Sequence, residues 1–122
     1  MSNSSKGYMR NFLLMKEKIH SYLGLSKRSR NLISGYNSCI YGMKRGKIRL
    51  LILAVDLTEN TIKKFERLAE AQGIPFRIYG TKETLSEMTG EVGRGIFGIS
   101  DNNLAAAILK EMDSSGQNSE KE

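Results

Sequence analysis

Between residues 37 and 45, polar side chains recur at helical intervals. At about 100° per residue, Asn37, Ser38, Tyr41, Lys44 and Arg45 gather on one face, while Tyr36, Cys39, Ile40 and Met43 gather on the other. The polar face offers an amide, two hydroxyls and two cations, and it holds no acid. Such a set can hydrogen-bond and neutralise an anion, but it has no base to activate a nucleophile. Gly35 stands just before it, where a missing Cβ lets another backbone approach closely. Ser34 is placed to cap the helix, Gly46 to stop it, and Lys47 carries the positive charge past the stop.

The rest of the chain adds no reactive group. Cys39 is the one cysteine, on the apolar face, and reads as a core residue. His20 is the one histidine, beside the apolar stripe of a helix, with no second His or Cys near it. Zinc needs three or four ligands, so no metal site is expected, and no cofactor. Glu66 and Glu70 lie one turn apart and read as a solvated helix face. The loop G-E-V-G-R-G, residues 90–95, precedes a strand, whereas a nucleotide loop follows one and opens a helix. It reads instead as a flexible loop that presents Arg94.

Charge is divided unevenly. The chain of 122 residues carries net +6, but residues 1–49 hold eleven Lys or Arg against the single acid Glu17. The remainder is net negative. A basic half of this kind points to an anionic partner, either nucleic acid or a membrane surface.

These residues need a scaffold. Met9, Phe12, Met15, Ile19, Tyr22 and Leu23 predict an amphipathic helix over 9–25, ended by Gly24. A basic connection, S-K-R-S-R-N, leads to a very short strand at Leu32-Ile33. After the polar-faced helix, I-R-L-L-I-L-A-V (48–55) is apolar almost throughout, as suits a strand covered on both faces. A helix with Ile62, Phe65, Leu68 and Ala69 inward ends at Gly73. The strand I-P-F-R-I-Y follows, and the strand–helix–strand unit predicts a parallel pair. Then come a short helix capped by Thr81, the Gly-rich loop, the strand I-F-G-I, and a last helix capped by Ser100 or Asp101 that buries Leu104, Ala105, Ile108 and Met112. The fold class is α/β: a three-layer α/β/α sandwich around a mixed sheet of about four strands.

One domain is expected, over residues 8–112, between a disordered N-terminus at 1–7 and a disordered polar tail at 113–122. No apolar run reaches the length of a membrane span. Neither a membrane nor DNA is expected as partner. The lone cysteine suits a reducing cytoplasm, and a domain of this size can stand as a monomer.

The stretch S-G-Y-N-S-C-I-Y-G-M-K-R-G-K-I-R-L-L-I-L-A-V-D-L closely resembles the signature of the L-seven-Ae/L-thirty-e superfamily of ribosomal and kink-turn RNA-binding proteins. That signature is roughly G-x-N-E-x-x-K-x-x-x-R-G, then a buried strand ending A-x-D. Gly35, Asn37, Arg45, Gly46, Ala54 and Asp56 stand in matching positions. The likeness continues through G-I-P-F (73–76) and T-K-E-T-L (81–85), and covers about residues 10–112. Leu23 to Gly35 looks like the YlxQ-like bacterial branch. The resemblance implies a small cytoplasmic, non-enzymatic protein whose partner is structured RNA, either ribosomal RNA or a kink-turn, with ribosomal proteins as candidate further partners. In that family the start of this helix enters the major-groove side of a kink-turn and reads the guanines of tandem sheared G·A pairs, and the loop before the last strand covers a flipped-out nucleotide. Carried over, Gly35, Asn37, Ser38 and Tyr41 contact bases or sugar-phosphate. Lys27, Arg28, Arg30, Lys44, Arg45 and Lys47 contact phosphates, Lys82 adds a further contact, and Arg94 clamps from the loop.

Three positions depart from the pattern. Ser38 replaces the archaeal-type Glu, Tyr41 a frequent Lys, and Val55 a frequent Glu. The first two motivate a second reading, a module that docks on a ribosomal or RNA-processing complex with its RNA recognition eroded. A third, an enzyme accessory domain, rests on folds that resemble the substrate-binding domains of ribose methyltransferases, and the chain has no room for their catalytic domain. Plainer roles also compete residue by residue: Asn37 capping its own helix, Tyr41 packing on a neighbouring helix, Lys82 solvated, and Arg94 paired with Glu91.

Overall fold

The computed structural model describes the backbone of residues 2–121 and the side chains of Arg10 and residues 12–114. Nine elements follow in order: α1 (Ser2–Arg28), β1 (Leu32–Ser34), α2 (Tyr36–Lys44), β2 (Leu50–Leu53), α3 (Glu59–Gln72), β3 (Phe76–Ile78), α4 (Lys82–Thr89), β4 (Ile96–Ile99) and α5 (Asn102–Lys121). The four strands form one mixed sheet in the order β1-β4-β2-β3. The β2–β3 pair is parallel, with Leu51 opposite Phe76, and β4 runs antiparallel to both β1 and β2.

The apolar run at the sheet centre explains the layers. All four β2 residues are buried, and they alternate between two cores. Leu50 and Ile52 join Phe97 and Ile99 beneath Ile19 and Leu23 of α1, Leu85 of α4 and Ile108 of α5. Leu51 and Leu53 join Ile96 beneath Cys39 and Met43 of α2 and Phe65 and Ala69 of α3. Helices on both faces of a sheet make the expected α/β/α sandwich. Truncating one of these central leucines to Ala removes transfer energy and leaves a cavity, at a cost of about 2–5 kcal/mol.

Two boundaries differ from the sequence reading. Helix α1 does not end at Gly24 but runs on to Arg28. A Cβ on Gly24 would lie 3.2 Å from the Arg28 guanidinium, so the glycine leaves room for that side chain within the continuing helix, and the Met88 carbonyl oxygen of α4 lies at an ordinary 3.9 Å. The helix stops where Asn31 N–H donates to the Ser26 carbonyl at 2.7 Å and Arg30 N–H to that of Lys27, with Arg30 at φ 64°. The central strand is shorter than 48–55, although Ile48 and Ala54 are buried at its ends. The expected disordered ends, 1–7 and 113–122, concern side chains outside the described residues apart from Asp113 and Ser114. Asp113 is held to the domain, for Arg77 Nε and Nη2 both donate to its carboxylate at 2.8 Å. That guanidinium holds the Asp113 carboxyl below its ordinary value. Among the described residues, no helix is long and apolar enough to cross a membrane.

Candidate nucleic-acid interface

The start of α2 is built from a glycine that no other residue can replace without strain. Gly35 has φ 101° and ψ 161°, a region essentially reserved for glycine. Its N–H donates to the Ile96 carbonyl of β4 at 2.8 Å, which fixes the helix start beside the last strand. No side chain caps α2, and its first turn has no acid. The partial positive charge of a helix start is therefore directed outward. Ser34 does not cap it as expected. It ends β1, and its hydroxyl donates to Glu91 Oε1 at 3.0 Å instead.

Arg94 completes the helix start. A Cβ on Gly35 would lie 2.1 Å from Arg94 Nη1, so the guanidinium occupies the space that Gly35 leaves empty. The expected alternative, a pair with Glu91, does not form. Among the described residues Arg94 makes no salt bridge, and Glu91 pairs with Lys27. Beneath this start lies Cys39, fully buried, its thiol 3.6 Å from the Ile33 carbonyl and 3.7 Å from that of Ile96. Burial pushes its pKa up to about 12, and the charge of Arg94 pulls the other way without overcoming it. The thiol stays protonated at neutral pH, as a core residue should.

Asn37, Ser38 and Tyr41 all face solvent. Tyr36, expected inward, sits at the rim with its ring edge-on to Phe65 of α3 at 5.2 Å, and Lys64 lies over its other side. Gly42 lets α2 lie close on the sheet, since a Cβ there would touch Ile33 and Ile48 at 3.2 Å. Tyr41 packs on no neighbouring helix. It is 61% exposed, its hydroxyl accepts from Arg45 Nη1 at 2.9 Å, and that guanidinium covers its ring. Arg45 is thereby oriented along the exposed face.

Of the other cations, Lys27 and Lys82 join the α2 start through the loop 90–95. Lys27 reaches Glu91 on that loop. Lys82 opens α4, where its N–H donates to Asp56 Oδ1 at 3.0 Å, and it lines a cavity of about 360 Å³ with Val92 and Gly93. Lys44 and Lys47 lie at the far end of α2, about 13 Å away for nine residues of helix. Arg28 stands over Gly24 at the α1–α4 crossing, and Arg30 sits in the turn beyond it. The sequence reading passed over Val92, and it named Ser34, Glu91 and Asp56 without the contacts they make here. Val92 is 87% exposed, an apolar side chain at the tip of a Gly-rich loop, and that contrast was readable in the sequence.

The chain is similar to known proteins. The sequence pattern of the "Ribosomal protein L7Ae/L30e/S12e/Gadd45 family" matches residues 17–114. The chain is 24% identical over 91 residues to the RNA-binding protein YlxQ of Bacillus subtilis, spanning 75% of this chain and 91% of that one. It is 31% identical over 91 residues to RNA-binding protein YlxQ of Enterococcus faecium, spanning 74% and 86%. A Bacillus halodurans protein of unknown function superposes with a TM-score of 0.76 at 27% identity, covering 79% of this chain and 97% of that one. The Giardia lamblia 15.5kD RNA binding protein shares the fold, with a TM-score of 0.70 at 17% identity over 84% and 88%.

Proposed function

Because the chain belongs to the ribosomal protein L7Ae/L30e/S12e/Gadd45 family, we propose that it is a non-enzymatic protein that binds structured RNA, ribosomal RNA or a kink-turn, at the start of α2. One observation carries the reading: an uncapped, acid-free helix start on Gly35 with the Arg94 guanidinium laid over it. Backbone N–H groups, helix charge and a guanidinium stand side by side there, a combination that suits an RNA backbone. Asn37 and Ser38 reach base edges from the first turn, and Tyr41 contacts base or sugar. Arg45, Lys44 and Lys47 follow the phosphates along α2, with Arg28, Arg30 and Lys27 outside them. Lys82 and Val92 border the space for a nucleotide turned out of its stack. The similarity to two RNA-binding YlxQ proteins supports the same reading.

Affinity for a kink-turn RNA against a duplex of equal length, across a salt series, tests it. The kink-turn binds at least about tenfold tighter, a difference of about 1.4 kcal/mol, and Asn37→Ala removes that margin. Equal binding of both RNAs, with equal salt slopes and no effect of Asn37→Ala, would reduce the surface to a general phosphate binder. Tyr41 favours one second reading, a docking module with eroded RNA recognition, because Arg45 already occupies its hydroxyl and ring. Absence of binding to either RNA is the outcome that reading expects.

A further inference from the structure

We propose that Glu91 is a positioning residue that sets the loop 90–95 in its RNA-competent shape before RNA arrives. The inference rests on the RNA reading above and deepens it, since Glu91 itself touches no RNA.

By sequence this loop should be loose. Gly90 and Gly93 both adopt positive φ, at 78° and 75°, and Val92 between them is almost wholly exposed. The structure nevertheless ties the loop down, chiefly at Glu91, whose side chain reaches β1 and α1 and whose main chain reaches α4. Its carboxylate accepts from the Ser34 hydroxyl of β1 at 3.0 Å and from the Lys27 ammonium of α1. Its N–H donates to Thr89 Oγ1 of α4 at 3.1 Å. Its carbonyl accepts from the Ser86 hydroxyl of α4 at 3.0 Å, and Ser86 Oγ in turn accepts from Gly93 N–H at 3.2 Å. Thr89 is itself buried, its hydroxyl donating to the Leu85 carbonyl at 2.8 Å. The two residues that Glu91 thus holds from one side are those the RNA reading needs, Val92 beside the Lys82 cavity and Arg94 over Gly35.

The chemistry of the site makes the point sharper. A bare carboxylate beside a phosphate-binding helix start repels RNA. Here its charge is met by Lys27, so what remains is its geometry. A loop already in the bound shape loses less freedom on binding, and affinity gains accordingly. Lys27 then acts through Glu91 at least as much as on phosphate.

Charge and geometry predict opposite signs, which makes a clean test. The full chain is compared as wild type, Glu91→Ala, Glu91→Gln and Ser34→Ala, with a kink-turn RNA and a duplex of equal length at one salt concentration. Amide exchange of residues 92–94 is followed in the RNA-free proteins. We expect Glu91→Ala to weaken the kink-turn roughly three- to tenfold, to leave the duplex unchanged or slightly tighter, and to speed exchange at 92–94. Glu91→Gln, which keeps an acceptor for Ser34, recovers part of the loss. Ser34→Ala changes no charge and moves kink-turn affinity in the same direction by less, which keeps the test open if Glu91→Ala folds poorly. If Glu91→Ala and Glu91→Gln both tighten both RNAs alike, the acid is only a charge and the proposal is overturned. A wild type that prefers the kink-turn, with a margin that Glu91→Ala leaves intact, sinks this inference alone. A wild type that binds RNA without that preference sinks the kink-turn reading and this inference together.

Discussion

Helices α2 and α4 begin within one small domain, and they begin in opposite ways. Helix α4 is closed on itself. The Thr81 hydroxyl accepts from Thr84 N–H at 3.1 Å, the Thr84 hydroxyl accepts from Thr81 N–H at 2.9 Å, and Asp56 accepts from Lys82 N–H. An acid, Glu83, sits in its first turn. Helices α3 and α5 are similarly closed, by Thr58 and by Asp101. Helix α2 has neither a capping side chain nor an acid in its first turn. A cap on a helix start is worth about 0.5–2 kcal/mol, so α2 forgoes stability that three neighbours take. A start that satisfies its own N–H groups has nothing left to offer a ligand. The difference separates a helix that holds the fold from one that presents it.

The largest way to break this contrast is Gly35→Ala. Alanine at φ 101° costs on the order of 1–3 kcal/mol, and its Cβ must displace the Arg94 guanidinium. Thermal or urea unfolding should show that loss, and RNA binding measured well below the melting temperature should fall with it. An Ala variant of wild-type stability and affinity would mean that the glycine does nothing special at this helix start.

The mirror experiment is Thr81→Ala. It should cost about 1 kcal/mol in urea unfolding, within the usual range for a cap. It should leave the preference for a kink-turn over a duplex where it was, since the α4 cap faces its own backbone. A Thr81→Ala protein that loses the preference would show that both helix starts belong to one site.

The same contrast explains what could be read in advance. The scaffold was legible because burial writes a period into sequence. The continuous run around Leu50–Leu53 announced a strand covered on both faces, and Ile62, Phe65, Leu68 and Ala69 announced one helix face. Thr81 and Gly73 were legible because their capping is local. The outward face of α2 was legible from the same period, and the resemblance supplied what it faces. What failed was mostly long-range. Gly24 looked like a stop, but it lies inside the helix beneath the Arg28 side chain, and the true stop carries Arg30 at positive φ, a conformation that glycine usually takes. Ser34 looked like a cap, and its partner lies 57 residues away. The Glu91 network joins three elements whose adjacency no local pattern encodes. Asp56 was visible as a motif residue, but its reason, capping the start of α4, appears only in three dimensions.

The smallest change in stability sharpens the comparison most, because stability and binding should move in opposite directions. Asn37→Asp gives α2 the first-turn acid that α3 and α4 already have. Opposite the helix dipole it should stabilise the protein by about 0.3–1 kcal/mol at low ionic strength, and salt should screen that gain. The same carboxylate replaces an amide donor and faces incoming phosphate. A lost base contact of about 1–3 kcal/mol corresponds to RNA binding about 5- to 150-fold weaker. Urea unfolding and RNA titration on one preparation measure both. If stability does not rise, the missing acid is no sacrifice and the contrast between the helix starts loses its meaning. If stability rises while RNA binding is unchanged, α2 is open for some other reason, and its first turn is not where RNA is read.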